Sequence, residues 1–282
     1  MPATESDTPP AGRLWVGRSL AILLVLLVGA MLFFGMRLLQ QRAETTRTVA
    51  PDASLANQCP NVKADILAAA QRIQLTGKGD FTLGGALVGP PTPGAVVLRQ
   101  GASQTICDWL PWAAQTAKDT GVQVLLFDRR GRGSAPGDAN VAAEPEDSAA
   151  AVAYLRAHGA QRVGLVASSM GNSVLYSALP DLPEPPCAVV SISPVLTAAD
   201  DAGQVDGRAL RDLVANTWVT WETKSEPVSA NAAAITAAAT KQGLAAPHTL
   251  PVDTTDHSRM LLDRHPEVAD FVRQGVATCA AP

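Results

Sequence analysis

The first candidate for chemistry is a serine where an apolar run meets a helical pattern, in the segment Ala167-Ser168-Ser169-Met170-Gly171. Small residues two places before and two places after Ser169 permit the sharp strand-to-helix turn that exposes a hydroxyl at the edge of a sheet. At the start of the helix, the backbone N–H of Met170 would face a developing oxyanion. The pattern predicts Ser169 as a nucleophile and Met170 as an oxyanion donor. The alternative is an ordinary N-cap serine, because serine is common before helices.

A serine hydroxyl is a weak nucleophile near neutral pH and needs a general base. The sequence holds four histidines. His158 ends a predicted helix, His248 immediately precedes a predicted strand, and His265 stands before Pro266 in the last helical region. His257 alone follows a predicted strand, HTLPVDTTD, at its carboxyl end. We therefore predict His257 as the base, with a surface-loop histidine as the alternative.

Both residues must be positioned by the elements around them, and the apolar pattern predicts which elements these are. The runs in GAVVLRQG, VQVLLFDRRG, RVGLVASS and CAVVSISP are continuous rather than alternating, which is typical of strands covered on both faces. Helical patterns separate these runs, as in a parallel sheet built from βαβ units. The predicted fold class is therefore α/β, with a doubly wound, mostly parallel sheet over residues 58–282. In such sheets, chemistry sits at the carboxyl ends of the strands.

The chain from about residue 81 to 276 resembles the α/β-hydrolase superfamily, in particular its serine hydrolases without a large lid. LVASSMGNSVLY resembles the nucleophile elbow, with Ala167 in place of the usual first glycine. FDRRGRGSAPGD resembles the strand and glycine-rich turn ahead of the elbow, and we expect its arginines to support loops rather than bind substrate. VVLRQGASQTICDW resembles the oxyanion strand and loop, with Gln100 in place of the usual histidine. The resemblance implies that Ala102 supplies a second oxyanion N–H beside Met170.

The resemblance also implies an acid after the strand in TWVTWETKSEPV. The usual aspartate position falls on Ser225, which cannot carry the charge. We expect the neighbouring Glu226 to serve instead, because its longer side chain would reach the histidine after a small loop adjustment. Glu222, at the end of the strand, is the first alternative. The second is Asp200 or Asp201, which follow the earlier strand in CAVVSISP.

Together these residues predict a serine hydrolase that cleaves an ester, thioester or peptide acyl bond through an acyl-enzyme intermediate. Between Pro194 and Trp218 there is room for a short excursion and one helix, so we expect an open site and a small-molecule or peptide acyl substrate. The alternative is a catalytically inactive hydrolase-fold protein that binds or scaffolds partners at the membrane. Gln100 and Ser225 favour that alternative.

Composition limits the other function classes. The net charge of −4 and the 4% aromatic content argue against a nucleic-acid partner, which would need a basic patch. The sequence contains no phosphate loop, dinucleotide fingerprint or metal-ligand spacing, so no cofactor or metal is predicted. No oligomeric state follows from the pattern.

The most apolar stretch lies near the N-terminus. Eighteen residues without a charge, SLAILLVLLVGAMLFFGM, separate Arg18 from Arg37, and as a helix they would span roughly 27 Å. This predicts a disordered tail over 1–18, one transmembrane anchor over 19–39 and a linker over 40–57. A cleaved signal peptide is the alternative, although the run is long and no A-x-A site follows it.

Four cysteines, Cys59, Cys107, Cys187 and Cys279, all follow the apolar stretch. An even number is consistent with two disulfides, and Cys59–Cys107 with Cys187–Cys279 is one of three connectivities that the sequence leaves open. Four unrelated buried thiols are the alternative. Because disulfides persist in oxidising compartments, we expect a membrane protein whose domain lies outside the cytoplasm, in the periplasm or the extracellular space.

Overall fold

The structure is a computed structural model that describes residues 26–31 and 48–280. Residues 26–31 form a short exposed helix. Among these described residues, no helix has the length and apolarity needed to cross a membrane. The predicted tail over 1–18, residues 40–47 of the predicted linker and most of the predicted anchor over 19–39 lie outside the described part of the chain.

Residues 48–280 are built around an eight-stranded sheet. Its strands are β1 (Ala70–Thr76), β2 (Thr82–Val88), β3 (Gly94–Arg99), β4 (Gln123–Phe127), β5 (Arg162–Ser168), β6 (Val189–Ile192), β9 (Thr217–Glu222) and β10 (His248–Val252). They lie in the order β1-β2-β4-β3-β5-β6-β9-β10. The β1–β2 and β2–β4 pairs are antiparallel, and every pair from β4 to β10 is parallel. The predicted fold class, a mostly parallel α/β sheet, is confirmed.

Helices cover both faces of the sheet, and this explains the continuous apolar runs. The described helices after residue 48 are α1 (Leu55–Gln58), α2 (Ala64–Ala68), α3 (Ile106–Thr120), α4 (Glu144–Ala157), α5 (Gly171–Ala178), α6 (Glu226–Lys241), α7 (Arg259–Arg264) and α8 (Pro266–Ala277). In β3, Ala95 and Val97 face one core while Val96 and Leu98 face the other. Helices α4, α5 and α6 pack on the first core, and α3, α7 and α8 on the second.

The excursion between β6 and β9 differs from the expected single helix. It contains a two-stranded hairpin, β7 (Thr197–Asp200) with β8 (Gly203–Asp206), followed by one short 3₁₀ turn. Leu210 and Asp212 have positive φ values of 44° and 54°, which interrupt any helix there. The excursion is short, as expected, and no helical cap is built from it.

The second half of the expected linker, residues 48–57, packs against the sheet domain. The Val49 N–H donates to the carbonyl of Gly133 at 2.8 Å, and Leu55 is buried. The disulfides are Cys59–Cys107 and Cys187–Cys279, one of the three connectivities that the sequence allowed. The first ties the N-terminal segment to the first turn of α3, and the second ties the residues after α8 to the residues before β6.

Candidate active site

Ser169 follows β5 directly and has a positive φ of 52°. A non-glycine residue in this region is strained, and the strain accompanies a sharp turn of the chain from the strand into α5. The turn also needs a small residue two places on, because a Cβ at Gly171 would collide with the backbone carbonyl of Arg99. The Ser169 N–H donates to the Ile192 carbonyl at 2.9 Å, which fixes the turn to β6. Ser169 therefore lies on a sharp turn between a strand and a helix.

The structure brings His257 to Ser169. The Ser169 hydroxyl lies 2.7 Å from His257 Nε2, and His257 Nδ1 lies 2.5 Å from Glu222 Oε1. A carboxylate can only accept, so Nδ1 carries the proton and Nε2 is left to accept from the hydroxyl. Glu222 is 1% exposed, whereas 37% of the His257 side chain is exposed. This arrangement can deprotonate the serine and stabilise the resulting imidazolium.

Glu226, the acid expected from the sequence, does not take this position. Strand β9 ends at Glu222, and after three intervening residues α6 begins at Glu226, which lies exposed in the first turn of that helix. Asp200 instead accepts the N–H of Val141 at 2.6 Å, and Asp201 is exposed. Glu222 occupies the position because it is the last residue of a strand that pairs with β10, the strand preceding His257.

The buried Glu222 carboxylate has a second partner that the sequence pattern did not indicate. Ser193, the residue after β6, donates a hydrogen bond from its hydroxyl to Glu222 Oε2 at 2.7 Å. Each oxygen of the carboxylate thus has a donor, as a buried charge requires. A serine after a strand is too common to have indicated this role.

The expected oxyanion donors lie on two adjacent segments. Met170 follows the nucleophile, and Ala102 lies in the loop after β3, residues 100–105, which we call the oxyanion loop. Gly101 of this loop lies against the elbow, since a Cβ added to it would stand 3.2 Å from the Ser169 Cβ. Over residues 48–280, the backbone N–H groups of Met170 and Ala102 donate to no protein acceptor.

A buried charge cluster lies behind the oxyanion loop. Arg129 donates to the Ala102 carbonyl at 2.8 Å and to Glu144, and Arg99 donates to the same carboxylate at 2.6 Å. Burial lowers the pKa of Arg99 and the Glu144 carboxylate opposes this shift, but a guanidinium stays protonated in proteins. Arg99 and Arg129 therefore share the Glu144 carboxylate beside the oxyanion loop. Arg129 supports the loop, as expected.

Gln100 is a position at which the sequence departs from the pattern it resembles, and its side chain is buried. Its side-chain amide donates to the Phe127 carbonyl at 2.8 Å, which links the end of β3 to the end of β4. The replacement therefore leaves the backbone of the oxyanion loop attached to the sheet.

Asp256 anchors the segment that carries His257. Its carboxylate accepts from Arg264 at 2.6 Å and contacts His265 Nε2 at 3.1 Å. Burial alone would raise the pKa of Asp256, but the hydrogen bonds from His265 and Arg264 outweigh it and lower that pKa. The residue before His257 is therefore held to α7 and to the residue that follows this helix.

Within the described ranges, no group of three or more histidine, cysteine, aspartate or glutamate residues is arranged to hold a metal ion.

No protein-family model matches the sequence, and no curated protein matches it. Solved structures do match. An esterase of Pyrococcus furiosus, Pf2001, superposes with a TM-score of 0.61 at 16% identity, over 78% of this chain and 95% of that chain. XC6422 of Xanthomonas campestris, an a/b serine hydrolase without lid, gives 0.55 at 20% identity, over 76% and 97%. EstE5, soaked by p-nitrophenyl butyrate, gives 0.55 at 17% identity, over 85% and 98%. The chain has the α/β-hydrolase fold.

Proposed function

We propose that the chain is a serine hydrolase that cleaves small-molecule esters. The observation that carries the proposal is the continuous contact from the Ser169 hydroxyl through the His257 ring to the buried Glu222 carboxylate. Two of the proteins whose structures superpose on this chain support the ester class: one is an esterase, and the other was soaked with an ester.

In the proposed reaction, His257 Nε2 takes the Ser169 proton as the hydroxyl oxygen attacks the ester carbonyl carbon. The carbonyl electron pair moves to its oxygen, and the N–H groups of Met170 and Ala102 stabilise the resulting oxyanion. When the carbonyl reforms, the alcohol leaves with the proton from His257. Water then attacks the acyl-enzyme by the same route and releases the acid. Glu222 stays ionised and holds Nδ1–H toward itself throughout.

The alternative, an inactive binding or scaffold protein, loses the support of the two residues that favoured it. Ser225 at the usual acid position favoured inactivity, but a carboxylate from Glu222 contacts the histidine. Gln100 favoured it too, but its side chain supports the loop while the oxyanion donors are backbone groups.

A fluorophosphonate probe and p-nitrophenyl butyrate test the proposal. Wild type should label and release p-nitrophenol, and Ser169→Ala should lose both. Ser177→Ala is the matched control, because it removes a hydroxyl from α5, the helix that follows Ser169, and leaves the Ser169–His257 contact intact. It should label and turn over like wild type. Labelling that persists in Ser169→Ala, or a folded wild type that neither labels nor hydrolyses any of a panel of esters, would refute the proposal.

We also infer from the sequence that the domain is held at a membrane and lies outside the cytoplasm. The two disulfides support an oxidising compartment, and the charge-free run within 19–39 supports the anchor. Alkaline extraction of membranes tests the anchor, since an anchored chain stays in the membrane pellet and a cleaved chain does not.

A further inference from the structure

Ser258, the residue after His257, joins loops from separate strands. Its backbone N–H donates to the Ser193 hydroxyl at 2.9 Å, and that hydroxyl donates to Glu222. Its own hydroxyl lies 2.6 Å from the Ser168 hydroxyl beside the nucleophile. Ser258 is 4% exposed and has a φ of 61°. A strained, buried residue with several partners is held in one place, and it fixes the end of the loop that carries His257.

Gln104 connects Ser258 to the oxyanion loop. Gln104 Nε2 donates to Ser258 Oγ at 3.1 Å across a sequence separation of 154 residues. Gln104 Oε1 accepts the backbone N–H of Gly101 at 2.9 Å and the indole N–H of Trp109 at 3.0 Å. One side chain therefore contacts the loop that carries the base and the loop expected to carry an oxyanion donor.

The contacts of Gln104 determine which N–H the oxyanion loop can offer. The N–H of Gly101 is directed to Gln104 and is not free for a substrate. The carbonyl of Ala102 is held by Arg129 from the other side. The N–H of Ala102 lies between these two fixed groups, so its direction is set by both.

We propose that Gln104 is a positioning residue that fixes the position of the Ala102 N–H relative to His257, through its hydrogen bonds to Gly101 and Ser258. This inference rests on the proposed hydrolase function. The role needs both a donor and an acceptor on one side chain of this length. Methionine has nearly the same length but lacks the donor and has only a weak acceptor, so Gln104→Met removes these hydrogen bonds with little change in volume.

The test compares Gln104→Met with Gln115→Met, the same substitution at an exposed position on α3 where the side chain contacts Asp119. With p-nitrophenyl butyrate, Gln104→Met should lower kcat about 10- to 100-fold, because small misplacements of catalytic groups have effects of this size. KM should change little, since the oxyanion forms only in the transition state. Gln115→Met should match wild type. A kcat for Gln104→Met equal to that of Gln115→Met overturns the inference, even if its melting temperature falls.

Ser258→Ala provides a second test that does not depend on Gln104→Met folding, because it keeps the backbone N–H bonded to Ser193. It should also lower kcat. The double variant Gln104→Met/Ser258→Ala should lower kcat less than the product of the two single effects, since both remove the same hydrogen bond. Fully multiplicative effects, or a wild-type kcat in Ser258→Ala, contradict the proposed connection.

Ser169→Ala in the same assay distinguishes a failure of the hydrolase proposal from a failure of the Gln104 proposal. If Ser169→Ala hydrolyses the ester like wild type, the hydrolase proposal fails. If Ser169→Ala is inactive while Gln104→Met keeps the wild-type kcat, only the positioning role of Gln104 fails.

Discussion

Glu222 allows the sharpest prediction, because its carboxylate is 1% exposed and hydrogen-bonds to His257 and Ser193. Glu222→Gln keeps the shape and removes the charge. Its amide can keep an oxygen toward the Ser193 hydroxyl, which leaves an N–H facing His257 Nδ1. The imidazole must then accept at Nδ1 and carry its proton on Nε2. In that tautomer it cannot take the proton of Ser169.

The expected loss is large. Loss of the correct tautomer through an acid-to-amide change costs about 10⁴-fold in kcat in a serine triad of another fold, which corresponds to roughly 5.5 kcal/mol of transition-state stabilisation. We expect the kcat of Glu222→Gln to fall by about this factor, while the Ser169 hydroxyl remains in place as the nucleophile. The assay is p-nitrophenyl butyrate hydrolysis, with the melting temperature recorded for each variant.

Glu226→Gln is the matched control. It makes the same chemical change a short way along the chain, at an exposed residue in the first turn of α6. Its rate should stay near wild type, because isolated surface substitutions change free energies by about 0.5 kcal/mol or less. The reasoning is refuted if Glu226→Gln is the variant that loses activity. It is refuted equally if Glu222→Gln keeps a wild-type kcat.

The disulfides and the segment before His257 give two further predictions. Replacing either cysteine pair by serines should destabilise the domain by about 4 to 5 kcal/mol on the loop-entropy estimate. Only the loss of Cys59–Cys107 should also lower kcat, because Cys107 lies in the first turn of α3, two residues after the oxyanion loop. Equal kcat losses in the Cys187–Cys279 variant would contradict this. The pKa of the Asp256 carboxyl is lowered on folding. The contribution of Asp256 to the free energy of unfolding is therefore complete above the unfolded carboxyl pKa of about 3.9. It is lost as the pH falls through the lower folded value. Melting curves should therefore show Asp256→Asn below wild type at pH 7 and the two converging in acid, whereas a constant offset would exclude this linkage.

The parts of this protein that local patterns encode could be predicted from the sequence. Continuous apolar runs predicted the parallel sheet because each strand is covered on both faces. The small residues around Ser169 predicted the elbow because they are needed for its turn. His257 could be selected because it follows a strand, and carboxyl ends of parallel strands meet at one edge.

Features that depend on where an element ends were not predictable. The sequence favours Glu226 because the usual acid position falls on the neighbouring Ser225 and a small loop adjustment would bring its side chain into reach, but β9 ends at Glu222 and Glu226 begins α6. The hairpin replaces an expected helix, and two residues after it adopt positive φ values. Gln104 was missed because its partner Ser258 is 154 residues away and neither lies in a recognisable motif.

The position of Glu222 explains how a site with unusual residues can stay ordered. The backbone of β9 is paired on both sides, by β6 through Thr220 and by β10 through Glu222 itself. The Glu222 carboxylate is therefore placed by the sheet rather than by a loop. His257 is placed from both of its neighbours, since Asp256 is bonded to Arg264 and Ser258 to Ser193. Precision of this kind comes from main-chain pairing and buried hydrogen bonds.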